Sequence, residues 1–459
     1  MEKRKNVYVC ANCGYQSIKW LGKCPECNEW GTFEEEITIS PSSSNKNNSS
    51  NKSNTDIQVY DYNKISGDEK ERYTTSMSEF DRLLGGGLLK GEVVLFTGNP
   101  GIGKSTLLLQ AAEEYSKYGE VIYISGEESP AQIKNRGNRI GITGKNLSLI
   151  NETDIMKIYD YIILKKPKIV IIDSIQTLYN VELESVAGTP TQIRESTLKI
   201  TELAKKYDTS FFIIGHITKD GKVAGPKLLE HMVDAVFNFE GEDGFFYRIL
   251  RSTKNRFGST NEIAVFSMEE NGMKEIKNSS EYFLNERDEK NIGSMVVPVL
   301  EGTKVFLLEI QALITEAING IPRRVVSGFD RNRIQILTAV VDKKIGMGLG
   351  MMDLFINVPG GININDPSAD LGVIISILSV FRGVAISQKI AAIGELGLRG
   401  EIRKVFFLDK RLKELEKLGF SGVYVPEANR KEIEKNRYKL KLIYLRNIEE
   451  FLEGIKKDG

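Results

Sequence analysis

The stretch Gly98-Asn99-Pro100-Gly101-Ile102-Gly103-Lys104-Ser105 is a complete phosphate-binding loop. It follows the apolar run Val93-Val94-Leu95-Phe96 and precedes the helical pattern Thr106-Leu107-Leu108-Leu109-Gln110-Ala111-Ala112. Glycines let successive backbone N–H groups turn inward around an anion, and the helix that follows points the positive end of its dipole at the same place. Lys104 then reaches the β- and γ-phosphates, and the Ser105 hydroxyl can ligate Mg²⁺. Such a loop arises by chance in long chains, so the strand before it and the helix after it carry the weight. Residues 98–106 are read as a nucleoside triphosphate site.

Outward from the loop, over residues 91–269, apolar runs alternate with amphipathic helical patterns such as residues 193–207. Val121-Ile122-Tyr123-Ile124, Ile169-Val170-Ile171-Ile172 and Phe211-Phe212-Ile213-Ile214 are the continuous runs expected of strands buried on both faces of a parallel sheet. The fold class is therefore α/β, and residues at the carboxyl ends of those strands are the ones to inspect. Asp173 stands there and can hold the Mg²⁺ hydration shell, although an Asp at a strand-to-helix turn is also a common N-cap. Glu127 and Glu128 follow the neighbouring run. Either can orient the attacking water, or simply favour a helix dipole, and spacing alone does not choose between them.

A chain of 459 residues has room for about three domains, and 62 basic residues against 62 acidic ones leave no global field to attract nucleic acid. The most apolar run, residues 371–381, is far shorter than the roughly 20 residues of a membrane helix, and the charged start lacks the apolar stretch of a secretory signal. A cytoplasmic protein without membrane contact is expected. All four cysteines fall in two Cys-x-x-Cys turns, Cys10 with Cys13 and Cys24 with Cys27, a spacing that suits tetrahedral Zn²⁺. Disulfides or a redox dithiol suit a reducing compartment less well. The Ser-, Asn- and Lys-rich residues 40–56 cannot bury enough apolar area to fold and read as a tether.

The four-cysteine ribbon, the phosphate loop with its Thr106-Leu107-Leu108-Leu109-Gln110 continuation, the string Tyr123-Ile124-Ser125-Gly126-Glu127-Glu128-Ser129 and the pentapeptide Lys254-Asn255-Arg256-Phe257-Gly258 together resemble the bacterial RadA (Sms) family over essentially the whole chain. The resemblance implies a zinc ribbon (1–36), a linker (37–58), a RecA-like ATPase core (59–275) and a Lon-protease-like α+β domain (280–459). It also implies a DNA-dependent ATPase of recombinational repair, using ATP, Mg²⁺ and Zn²⁺. The protein would form a hexameric ring on single-stranded and branched DNA beside the RecA recombinase and promote branch migration. By that likeness Glu127 is the catalytic carboxylate, and Lys254 and Arg256 reach a neighbouring subunit's γ-phosphate. From sequence alone, Arg251, Lys254 and Arg256 could equally be a solvated cationic face. His216, at the tip of its strand, could sense the γ-phosphate or be an ordinary loop histidine. Residues 220–226, with Lys219, Lys222 and Lys227 nearby, sit where RecA-like proteins hold DNA-binding loops. The ribbon would help engage a recombinase filament, although nothing between Cys10 and Cys27 marks a partner surface.

In the last third, Val296-Val297-Pro298-Val299-Leu300-Glu301-Gly302, Phe355-Ile356-Asn357-Val358-Pro359 and Gly394-Glu395-Leu396-Gly397-Leu398-Arg399-Gly400 resemble the proteolytic domain of Lon, a Ser-Lys peptidase. Ser368 falls on the nucleophile. By register from Leu398-Arg399-Gly400, the activating lysine falls on Asp409, with Lys410 one residue further. A serine without a neighbouring base is a poor nucleophile, so an inactive protease fold is expected. The competing readings are a passive, ATP-switched recombination mediator and an active ATP-dependent protease.

Overall fold

The computed structural model describes residues 4–10, 15–26, 28–39, 71–216, 226–241, 247–284, 292–317 and 321–458. Cys13, Cys27, Lys219, Lys222 and residues 40–58 of the expected linker lie outside these, and Lys227 is described in its backbone alone.

At the amino end, β1 (Arg4–Cys10) pairs antiparallel with β2 (Gln16–Ser17) on one side and β3 (Phe33–Ile39) on the other. The last strand runs three residues past the expected ribbon boundary at 36, because β1 holds it in unbroken register from Cys10↔Phe33 to Arg4↔Ile39. Backbone pairing, not composition, sets that edge.

The described remainder falls into two compact units, one reaching Glu275 and one beginning at Ile276. In the first, a small hairpin of β4 (Arg72–Tyr73) and β5 (Leu88–Leu89) brackets α1 (Ser78–Leu83). Then come β6 (Val93–Thr97), α2 (Lys104–Tyr115), β7 (Val121–Ser125), α3 (Pro130–Arg139), β8 (Leu147–Ile150), α4 (Ile155–Lys165), β9 (Ile169–Asp173), α5 (Pro190–Tyr207), β10 (Ser210–Ile214), α6 (Pro226–Glu230), β11 (Ala235–Glu240), β12 (Tyr247–Asn255), β13 (Ile263–Glu269) and β14 (Gly272–Glu275). They form one nine-stranded sheet in the order β14-β13-β12-β11-β6-β10-β9-β7-β8. The six strands from β11 to β8 are parallel, and β12, β13 and β14 extend the sheet antiparallel.

Burial on both faces explains the unbroken apolar runs. Val94, Phe96, Tyr123, Ile171 and Phe212 enter one core beneath α1 and α2, while Val93, Leu95, Ile122, Val170 and Phe211 enter the other against α4 and α5. In the first core Phe96 meets Phe80, Phe212, Phe237 and Phe239 at ring separations of 5.5–6.4 Å. Each such side chain stabilises the unit by about 1.5–3 kcal/mol. Helix α1 lacks a side-chain cap of its own at Met77. Glu275 supplies one from β14 by accepting the amides of Glu79 and Phe80.

The second unit holds α7 (Ser279–Leu284), β15 (Ser294–Glu301), β16 (Lys304–Glu316), β17 (Arg324–Ser327), α8 (Arg331–Ile345), β18 (Met352–Asn357), α9 (Asp370–Arg382), β19 (Ile390–Ala392), β20 (Glu395–Leu396), β21 (Ile402–Arg403), α10 (Leu408–Lys417), β22 (Gly422–Pro426), α11 (Arg430–Ile433), β23 (Lys441–Leu445) and α12 (Ile448–Asp458). Its mixed sheet runs β17-β18-β16-β15-β19-β22-β23. The apolar run 371–381 is the buried helix α9, whose first residue Asp370 pairs with Arg333 of α8. Among the described residues no helix is long and apolar enough to cross a membrane.

Candidate active site

The phosphate loop leaves the carboxyl end of β6, where Gly98, Gly101 and Gly103 all take positive φ (142°, 78° and 112°). Gly103 is the N-cap of α2, and a Cβ there would run into the terminal methyl groups of Met273 and Met268. The positive φ is what calls for glycine here, since the flexible methionine ends could swing aside from a Cβ. Gln110 exchanges two hydrogen bonds with the Met273 backbone, tying α2 to the β13–β14 hairpin. Lys104 is only 3% exposed. Its ammonium donates to the carbonyls of Gly98 (2.7 Å) and Asn99 (2.9 Å), so it is parked on neutral acceptors. Burial lowers it to about 8, against the opposing pull of Asp173 and Glu127.

Asp173 ends β9, buried, and accepts the Tyr123 hydroxyl at 2.5 Å. Tyr123 is itself pushed well above its ordinary range by burial and then by Asp173, so it stays a donor. The two glutamates after β7 part company. Glu127 accepts the Ser174 hydroxyl at 2.5 Å, and His216 Nε2 approaches the same oxygen at 3.4 Å, an ion-pair separation rather than an aligned hydrogen bond. The imidazole, and then the Ser174 hydroxyl, hold Glu127 at about 2 against the opposing effect of burial. Glu128 is paired with Arg136 of α3 at 2.6 Å. Arg136 also reaches the Tyr123 hydroxyl at 3.5 Å, so Glu128, Arg136, Tyr123 and Asp173 form one chain of contacts. The sequence reading missed Tyr123 and Arg136. The available signal was a tyrosine inside a fully buried strand, whose hydroxyl must find a partner.

Lys254 and Arg256 stand at the other end of the sheet. Lys254 donates to the carbonyls of Glu230 and Val233, and burial and then Arg256 lower it. Arg256 pairs with Asp234 at 3.1 Å, and Asp234 in turn caps the amide of Val93, the first residue of β6. From Val93 to Gly98 is about 16 Å of strand, so neither cation reaches its own loop. Within the same pentapeptide, Asn255 donates to the Leu83 carbonyl and accepts the Phe257 amide. Gly85 packs so closely on the Phe257 carbonyl that a Cβ there would clash. Asn255 and Gly258 therefore anchor the motif, leaving Arg256 and Phe257 exposed. Arg251 pairs with Glu240 at 2.8 Å.

In the ribbon, Cys10 and Cys24 are fully buried and, with Phe33, form its small core. The Cys10 amide donates to the Tyr15 carbonyl and the Cys24 amide to the Glu29 carbonyl, at 2.8 and 2.9 Å. Two buried sulfurs, each on a cysteine whose amide is bonded to the carbonyl five residues on, fit a thiolate metal site. With Cys13 and Cys27 undescribed, no group of three or more candidate metal ligands occurs among the described residues.

In the second unit, Ser368 is buried at the start of α9 and accepts a hydrogen bond from Arg411 at 2.8 Å. The register that put Asp409 at this place is corrected by two residues. Asp409 instead pairs with Lys413 and accepts from Tyr438 and Asn436, while Lys410 lies over the Phe407 ring. Phe407, a non-glycine residue with φ of 55°, is the N-cap of α10, the helix that carries Arg411 to Ser368. Arg411 is held through Nη1 by Asp366 (2.7 Å), Ser368 and the Pro298 carbonyl, and through Nε by the Phe406 carbonyl. A guanidinium carries no lone pair and keeps its proton, so it cannot activate a serine.

Residues 8–35 match the rubredoxin metal binding domain, residues 73–160 the KaiC ATPase family and residues 338–456 the Lon protease (S16) C-terminal proteolytic domain. Three curated relatives, each called DNA repair protein RadA, come from Halalkalibacterium halodurans (45% identical over 94% of both chains), Bacillus subtilis (44%, again 94% of both) and Aquifex aeolicus (44%, over 95% of this chain and 96% of the relative).

Proposed function

This chain belongs to the bacterial RadA family of DNA repair proteins, with a RecA-like ATPase domain, and from there we propose that it is an ATP-driven motor on DNA whose catalytic sites are shared between neighbouring subunits of a hexameric ring. Its substrates are ATP and single-stranded or branched DNA, its partner the RecA recombinase, its outcome branch migration, and its place the cytoplasm. Lys104 neutralises the β/γ-phosphates, exchanging two neutral carbonyls for an anion. Ser105 and Asp173 would hold Mg²⁺, which on binding screens the phosphate charge, and Tyr123 keeps Asp173 in one orientation. Glu127, charged at any working pH, orients and polarises the attacking water; a carboxylate this weakly basic suits alignment better than outright proton removal. Cys10, Cys13, Cys24 and Cys27 would hold a structural Zn²⁺.

The observation that carries the reading is the distance of Lys254 and Arg256 from their own loop. A cation beyond reach in cis is free to act as a finger in trans. The test is complementation. Lys104→Ala and Arg256→Ala proteins, each inactive alone, regain DNA-stimulated turnover when mixed, because some seams then pair an intact loop with an intact finger. No recovery in mixed oligomers overturns the shared site. A protease reading lacks support, since the group facing Ser368 is Arg411.

A further inference from the structure

The turn that follows β9 reaches the carboxylate of Glu127 twice. Ser174 reaches it directly, donating its hydroxyl at 2.5 Å. Two residues on, Gln176 reaches it at one remove: its side-chain Nε2 donates to the carbonyl of His216 at 3.3 Å, and the His216 imidazole stands 3.4 Å from the same Glu127 oxygen. The turn itself is firmly closed, because Thr177 gives both its amide (3.2 Å) and its hydroxyl (2.8 Å) to the Ser174 carbonyl. Gly126, which leads into Glu127, packs directly on this turn. Its amide donates to the Asp173 carbonyl, and a Cβ there would come within 2.4 Å of the Thr177 hydroxyl oxygen and 2.6 Å of the Thr177 Cβ. A β-branched side chain is stiff at χ1 and has no long free end to swing aside. The segments that carry Glu127 and Gln176 therefore share one frame.

His216 is held more lightly. The Gly215 amide anchors the chain before it on the Phe96 carbonyl at the end of β6. Neither imidazole nitrogen has a hydrogen-bond partner among the described residues, so the place of the ring beside Glu127 is set from its backbone. The Gln176 amide grips that backbone by the carbonyl. Its other end, Oε1, is buried with no partner among the described residues. A carbonyl can only accept, so the amide cannot turn round to satisfy that oxygen without losing the bond to His216. An apolar side chain of equal length would fill the space without burying an unmet acceptor; what it would lack is the donor. We propose that Gln176 is a positioning residue which, through the His216 carbonyl, holds the imidazole against Glu127 and so fixes the carboxylate that orients the attacking water. The proposal rests on the reading of Glu127 as that carboxylate.

Gln176→Met keeps the length of the side chain and removes the donor. In the full-length protein, with saturating oligonucleotide, it should lower kcat for ATP about tenfold while KM, the affinity for a fluorescent ATP analogue and the melting temperature stay unchanged. The deciding measurement is a double-mutant cycle with His216. In a His216→Ala background Gln176→Met should cost nothing further, because the ring that it positions is gone. Losses that multiply overturn the proposal and assign Gln176 to the packing of the turn. So does a Gln176→Met protein whose turnover stays within about twofold of the unaltered chain. Glu127→Gln separates the two readings. If it abolishes turnover while Gln176→Met is silent, the positioning role alone is lost; if turnover survives it, the reading of Glu127 fails and the positioning role fails with it.

Discussion

Two loop-to-helix sites in this chain each bury a cation, and they use it in opposite ways. At the nucleotide loop, Lys104 rests on two backbone carbonyls, neutral acceptors that an incoming phosphate easily replaces. In the second unit, Arg411 is closed by the Asp366 carboxylate as well as by Ser368 and two carbonyls. Burial raises Asp366, but Arg411 and the amides of Leu300 and Ser368 more than offset it and hold it ionised. A buried cation set on neutral groups is available for chemistry, whereas one matched by a buried anion is a structural clamp.

The largest test of that contrast is to remove each site's defining group. Lys104→Ala should lower ATP turnover by at least about 10³-fold, whereas Ser368→Ala should leave it within twofold, both read by phosphate release with saturating oligonucleotide. Within the first site, Glu127→Gln should cost about 10²–10⁴-fold in turnover while Glu128→Gln, which touches only the Arg136 pair, costs far less. Equal losses would erase the distinction between the two carboxylates. In the second unit, Arg411→Ala leaves Asp366 buried without its partner, a loss of about 3–5 kcal/mol. This should lower that unit's melting transition by roughly 10 °C and leave nucleotide binding unchanged.

Smaller effects sharpen the picture. Tyr123→Phe removes the donor that orients Asp173, and the Mg²⁺ needed for half-maximal turnover should rise about tenfold while nucleotide binding in chelator is unaltered. The pH dependence follows from Lys104, which burial holds near 8, below the 10.5 of an exposed lysine. The folded, free site loses this proton as pH rises past about 8, while the unfolded chain keeps it to about 10.5. The unfolded chain thus binds more protons in that window, and the stability of the nucleotide-free protein gains from this group as pH rises through it. A bound triphosphate retains the proton, so nucleotide affinity should be full below pH 8 and fall severalfold above it, measurable with a fluorescent ATP analogue. Glu127, at about 2, adds no acid limb near neutrality.

The parts legible in the sequence were those where one local rule acts alone. Runs buried on both faces read as strands because neither face can carry polar residues, and the loop at residues 98–105 read as an anion cradle because its glycines leave few other roles. Less legible were relations across long gaps. Glu127 and Glu128 look alike until Arg136, eight residues beyond Glu128, claims one of them. Arg411 escaped a count from Leu398-Arg399-Gly400, because a residue count does not report which side chain of α10 turns toward Ser368. The remoteness of Arg256 from Gly98 is a property of strand direction, since β12 runs antiparallel to β11 and ends beside the start of β6, and periodicity carries no information about which way a strand runs.

The hairpin beneath the phosphate loop has a further consequence. Its second strand, β14, presses Met273 against Gly103, holds Gln110, braces α1 through Glu275, and is the last strand before the chain enters the second unit at Ile276. Within the first unit this four-residue strand therefore ties the conformation of the phosphate loop to the start of α1, so a substitution at Met273 and one at Glu275 should disturb the same nucleotide cradle from its two sides.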